Sequence, residues 1–219
     1  LLSYEDIMAI ENPTRICNQA LARIGAGRLD NLETDETPES IQCNIHYEAA
    51  RDALLRNHMW AFAADREALA QSATAPDFGF SYAYPLPSNF IKLRAIYGDG
   101  GTRRNTSVYS HKLEAGSILS DDSSMKILYT AQISDASKFD PSFVECLVLN
   151  LALRLLPPLT NHAGTPAATQ LWNELRTMMP KVWAMDRDEQ ELLGRDDQAT
   201  WLDARWYGNS GRLLHKLGS

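Results

Sequence analysis

Four times in this chain a helix-capping residue stands directly before a proline: Asn12-Pro13, Thr37-Pro38, Asp140-Pro141 and Thr165-Pro166. A side-chain oxygen at the cap accepts from orphan N–H groups of the first turn. Proline at the next position gives up an N–H that would have no partner there anyway. Each pair therefore predicts the start of a helix. Two pairs fall before residue 78 and two after residue 133, and the stretch between has no such signal. The spacing predicts helices on both sides of an inserted segment with a different backbone.

The apolar pattern after each start fills in the helices. Ile16, Ala20, Leu21 and Ile24 follow the first, and Gly25 and Gly27 stop it. Asp35, Glu36 and Glu39 suit the positive end of the second helix. Ile41, Ile45, Ala49, Ala53 and Leu54-Leu55 read as its buried stripe, running to about His58 or Trp60. Trp60 and Phe62 then anchor the exit in the core. In the third helix Phe143, Leu147, Leu151 and Leu155 share a face that Val144, Val148 and Leu149 widen, so it should be the most buried, ending at Pro157-Pro158. The fourth carries Leu171, Leu175, Met178, Val182 and Met185 and extends to about Leu193, with a kink expected at Pro180.

Between these helices the texture is β. Phe80 to Tyr84 alternates at period two, and Phe90 to Tyr97 is rich in strand formers before Gly98-Asp99-Gly100-Gly101 turns the chain. Ser107 to Leu113 and Ile118-Leu119 read as short strands around Ala115-Gly116, and Met125 to Ile133 as a further one. The fold class expected is α+β: a four-helix bundle interrupted by an antiparallel β insert, with an extended C-terminal arm. The bundle takes residues 1–77 and 134–193, the insert of four or five strands 78–133, and the arm 194–219.

Composition limits the function. Hydrophobic residues are 44 % of the 219, enough for a core without staples, and the formal net charge is −7. An acidic body does not attract nucleic acid as a whole, and no basic stripe offsets it. No segment approaches the roughly 18 apolar residues of a membrane span. Leu1 to Asp6 lacks the basic start of a signal peptide and an initiator Met, which reads as a trimmed or processed chain. The three cysteines, Cys17, Cys43 and Cys146, form no C-x-x-C pair and fit buried free thiols in a reducing cytoplasm.

The chemistry-bearing residues form no familiar constellation. The glycines at 98–101 lack a basic phosphate ligand, and Gly208-Asn209-Ser210-Gly211 lies outside any strand–turn–helix elbow. His46, His58, His111, His162 and His215 include no i, i+4 pair. Asp186, Asp188, Glu189 and Glu191, followed by Asp196-Asp197, resemble a solvated helix face. No catalytic residue, metal ligand or cofactor is expected. The alternative kept open is a cell-wall glycan hydrolase using two facing carboxylates; a simple partner-binding module is a third.

Several stretches carry a resemblance. Cys17 to Gly25 is similar to the N-x-A-L-x-x-I-G opening of phage adaptor proteins, of the tail tubular protein A family of T7-like phages. Tyr47 to Arg56, then Trp60-Ala61-Phe62-Ala63, resembles that family's Y-x-x-x-R-D-x-L-L helix and its W-x-F-A exit. Phe80 to Asn89 resembles its aromatic step into the β part, and Phe139 to Glu145 its F-D-P-x-F-x-E motif. Met59 and Ala63 stand where family members carry Gly and Asn, the mark of a divergent branch. The resemblance covers about residues 14–160. It implies a head-to-tail adaptor in the virion neck, assembled in the host cytoplasm as a ring of twelve subunits. The partners implied are the portal protein, a tail nozzle or next tail component, other copies of the chain, and DNA passing non-specifically, with no membrane. The lining of such a ring is expected to be neutral or negative, so that it does not grip phosphates.

The arm is the expected portal contact. Trp201, Trp206 and Tyr207 are large anchors, Leu202, Leu213 and Leu214 add apolar area, and Arg205, Arg212 and Lys216 add positive charge. The candidate portal-binding residues are Trp201, Leu202, Arg205, Trp206, Tyr207, Arg212, Leu213 and Leu214. The run lacks a helical period, so it is expected to order on assembly.

Overall fold

A computed structural model describes residues 11–97, 110–160 and 166–191. The fold is α+β, with four helices and two small antiparallel sheets among the described residues. The helices are α1 (Pro13–Ile24), α2 (Pro38–Asn57), α3 (Pro141–Thr160) and α4 (Pro166–Glu191). The strands are β1 (Ala64–Leu69), β2 (Tyr82–Pro85), β3 (Phe90–Tyr97), β4 (His111–Glu114), β5 (Ser117–Ser120) and β6 (Met125–Ala131). The proposed arm, the glycine turn at 98–101 and Thr165 lie outside the described residues.

Three of the cap-plus-proline starts form as their chemistry demands. Asn12 Oδ1 accepts from Arg15 N at 2.9 Å, Thr37 Oγ1 from Ser40 N at 3.2 Å, and Asp140 Oδ1 from Ser142 N at 2.8 Å. Gly25 ends α1 in the left-handed region at φ 70°, and Ala26 N reaches back to Leu21 O at 3.0 Å. A residue with a Cβ would resist that conformation.

α3 is the central helix and packs against α1, α2 and α4. Its residues from Phe143 to Leu156 are buried almost all round, in one core with Ile16, Leu21, Leu54, Leu55, Trp60 and Leu175. By length and composition α3 could cross a membrane, contrary to the reading that no segment comes close. In this fold its apolar surface is taken up by the neighbouring helices. It also continues through Pro157-Pro158 to Thr160 rather than ending there. The buried Leu155 and Leu156 hold the last turns in place, and Thr160 Oγ1 donates to Leu156 O at 2.6 Å. Likewise α4 remains one helix on both sides of Pro180.

The buried stripe of α2 is not the one its isoleucines suggest. Ile41 and Ile45 are 51 % and 59 % exposed, while Ser40, Cys43, Tyr47, Ala50, Arg51 and Leu54 face inward. Burial is decided by which face meets α3, and polar residues can occupy it where they find partners. Ser40 does so, donating its hydroxyl to Asp35 O at 2.7 Å.

The β region is larger than the sequence suggests. It begins at Ala64 rather than at residue 78 and, among the described residues, has six strands in two sheets, ordered β1-β6-β3 and β2-β5-β4. β1, Ala-Asp-Arg-Glu-Ala-Leu, contains no β-branched or aromatic residue. Its extended state comes from pairing along β6, from Ala64 opposite Thr130 to Leu69 opposite Met125. Tertiary pairing overrides local preference here. Charged and mostly exposed, β1 makes a blunt sheet edge. β4 and β5 join through Ala115 and Gly116, at φ 48° and 73°, the positive pair of a tight hairpin turn. Leu69, Tyr84, Ile96, Ile118, Met125, Ile127 and Tyr129 form a second core in the sheets. Arg56 Nη1 donates to Ile91 O at 2.7 Å and Gln132 Nε2 to Asp52 Oδ2 at 2.7 Å, tying the first sheet to α2.

Candidate assembly site

The chain leaving α2 turns sharply into β1, and aromatic residues gather at that turn. His58 is extended at φ −130°, and a single 3-10 turn covers Ala61–Ala63. Trp60 is fully buried and donates Nε1–H to Leu54 O at 3.0 Å, as its expected core role requires. Its ring lies 5.1 Å from that of Phe143 and 6.1 Å from that of Phe62. Phe139 packs at 6.0 Å from Phe62 and 5.0 Å from Phe143. Two motifs far apart in the chain, Trp60-Ala61-Phe62-Ala63 and Phe139-Asp140-Pro141-Ser142-Phe143, therefore meet in one aromatic cluster.

The same turn is fastened to the last helix. Asp186 on α4 is 9 % exposed. Its Oδ2 lies 2.7 Å from His58 Nε2, and its Oδ1 accepts from Ala61 N at 2.9 Å. The His58 ring stacks on Trp183 at 5.5 Å and meets Trp60 edge-on at 5.0 Å. Arg94 reaches in from β3, donating to Thr130 Oγ1 at 2.8 Å and to Trp60 O at 2.7 Å. Burial pulls this guanidinium down to about 10, with the Asp186 charge opposing the shift. His58 thus has the structural role expected of it. Asp186 does not belong to a solvated face, although Asp188 and Glu189 are exposed. Met185, expected inside, is 60 % exposed, and the inward stripe of α4 runs Leu171, Leu175, Val182, Asp186. That continuation of the helical period was the available signal. The charge at 186 concealed it.

Among the described residues, large apolar side chains are exposed at Met59, just after α2, at Leu113 on β4, and at five more strongly exposed positions. The five are Ile41 and Ile45 on α2, Phe78 at 89 % exposure in the β1–β2 connection, and Trp172 and Met185 on α4. The eight arm residues named as portal contacts lie outside the described residues. All three cysteines are buried free thiols. The hydrogen bond with Cys43 and burial hold the Cys17 thiol well above its ordinary range, and burial pushes Cys146 up to about 11. The Cys17 and Cys146 thiols are therefore poor nucleophiles, while the hydrogen bond with Cys17 draws Cys43 down from its ordinary range. Among the described residues no group of three His, Cys, Asp or Glu is placed to hold a metal ion.

Compared with models of known protein families and with curated proteins, the chain matches none.

Proposed function

We propose that this chain is a non-enzymatic adaptor of a phage neck, forming a ring, of twelve subunits by the resemblance, that joins the portal to the tail and lets DNA pass. The observation that carries the reading is the meeting of the two resembling motifs at Trp60, Phe62, Phe139 and Phe143. Residues that resemble a family for a reason of fold should touch one another, and these do. The exposed Ile41, Ile45, Phe78, Trp172 and Met185 add support, because a ring subunit must present different surfaces to its two neighbours. Asp186 ties α4 to the turn after α2, so the helix that precedes the proposed arm is held to the aromatic cluster.

The test is electron microscopy of the full chain mixed with its portal protein. Rings seated on the portal are expected, and an unaltered portal overturns the reading. Deleting residues 196–219 should leave helicity and melting temperature nearly intact while abolishing portal binding. A truncated chain that still seats on the portal removes the arm from the mechanism.

A further inference from the structure

Cys17 on α1 and Cys43 on α2 meet in the helical core, and the adaptor reading has no use for either. Both are wholly buried. Their thiols share a hydrogen bond, in which Cys17 keeps its proton and donates to Cys43. That bond holds Cys17 up and draws Cys43 down. Thiols in contact titrate as a pair, so Cys43 has more thiolate character than burial alone would leave it. Cys146 on α3 differs: burial raises it, with the Glu145 and Asp140 charges adding to the shift.

The pair sits where a link between the two helices would matter. α1 and α2 each pack chiefly on α3 and touch each other little. The residues directly after the two cysteines pin the connection 25–37. Asn18 bonds to Leu29 N and O at 2.8 and 2.9 Å, and Asn44 Nδ2 donates to Leu32 O at 2.9 Å. Both helices are therefore held close to the thiols on either side. A disulfide needs its sulfurs about 2 Å apart. Thiols already in hydrogen-bond contact reach that by side-chain rotation, with neither helix rebuilt. Asn18, Asn44 and Tyr47, one turn past Cys43, also line an open cleft of about 1080 Å³. Its lining is mostly polar side chains, so water and small polar solutes reach the residues that flank the pair.

We propose that Cys17 and Cys43 form a redox site, which a peroxide converts to a disulfide that staples α1 to α2. Cys43 Sγ attacks one peroxide oxygen and the O–O bond breaks. The other oxygen leaves as hydroxide and takes the Cys43 proton to become water, leaving a sulfenic acid on Cys43. Cys17 Sγ then attacks the Cys43 sulfur and the S–O bond breaks. The departing hydroxide takes the Cys17 proton as a second water. Two electrons pass from the thiols to the peroxide, and a dithiol reductant returns them by exchange. The structure shows the reduced state, with both thiols free. The assignment needs only a single chain and is independent of ring formation.

The experiment treats the reduced, folded full-length chain with hydrogen peroxide and follows it by non-reducing peptide mass spectrometry and thermal melts. A peptide pair joined through Cys17 and Cys43, two hydrogens lighter than its parts, is expected, with Cys146 still a free thiol. Closing the chain between Cys17 and Cys43 should raise the melting temperature by roughly 7–14 °C, and dithiothreitol should reverse both changes. Cys43→Ala should abolish the joined peptide and the rise in melting temperature, while Cys146→Ala should leave both in place. Should Cys43→Ala fail to fold, Cys17→Ala carries the same test, and the joined peptide of the unaltered chain is read without any variant. No joined peptide from the folded chain, a bridge that includes Cys146 or a second chain, a link formed only in urea, or a melting temperature that does not rise overturns the proposal.

Discussion

Replacing Asp186 with Asn changes one oxygen to an NH₂ group and removes one negative charge from a site that is 9 % exposed. Asp186 accepts from two donors of the turn between α2 and β1, His58 Nε2 at 2.7 Å and Ala61 N at 2.9 Å. An asparagine carbonyl can satisfy one of them, leaving its NH₂ opposed to the other. An unsatisfied buried donor costs about 1–3 kcal/mol. The nearby Arg94, buried and bonded to Trp60 O, also loses a compensating charge. A loss of about 2–3 kcal/mol is expected. For a protein of this size each kcal/mol moves the melting temperature by about 2–4 °C, so the midpoint should fall by roughly 4–12 °C. Thermal and urea melts followed by far-UV circular dichroism measure it. His58→Gln should be non-additive with Asp186→Asn, with a coupling of at least about 0.5 kcal/mol in a double-mutant cycle. A change below about 0.5 kcal/mol for Asp186→Asn, the range of ordinary surface substitutions, would show that Asp186 does not fasten α4 to the turn.

Other features give equally direct expectations. Ile41→Lys and Ile45→Lys should each change stability by no more than about 0.5 kcal/mol in urea melts, whereas Leu54→Ala, in the core, should cost about 2–5 kcal/mol. Ala115→Gly should stabilise the chain in thermal melts by about 0.5–1 kcal/mol, because the φ of 48° strains any residue with a Cβ, although glycine's extra freedom in the unfolded chain takes back part of the gain. Burial and the hydrogen bond to Asp65 push Tyr129 up to about 12, and burial pushes Cys146 up to about 11. The folded protein then holds more protons than the unfolded chain in alkaline solution, so stability should fall as pH rises above about 9. Urea melts across that range should show the decline, and Tyr129→Phe should flatten it.

The helix starts were legible because their cause is local. Asn12, Thr37 and Asp140 each bond to a backbone N–H two or three residues on, so the whole interaction lies within one turn of sequence. The Gly25 stop and the Ala115-Gly116 turn are legible for the same reason. α3 was readable as the central helix because its apolar face is too broad to leave in water. Of the candidate site, Trp60 and His58 could be given structural roles from sequence, while their common partner Asp186 could not. An acid beside Asp188 and Glu189 has the pattern of a solvated surface, and only the approach of His58 and the Ala61 amide from the far side of the fold makes it an inward residue.

Sequence by itself determined where helices begin, that strands separate the two helical pairs, and that the three cysteines are buried as small apolar groups. Tertiary structure alone decided which face of α2 is covered, that Ala64 to Leu69 is a strand, and that Asp186 closes the turn after Trp60. Neighbouring stripes of α2 differ little in apolar content, and the choice between them falls to the surface that α3 offers. The extended state of β1 belongs to the pair it forms with β6, some sixty residues away, and no local preference of its own sequence records that partner.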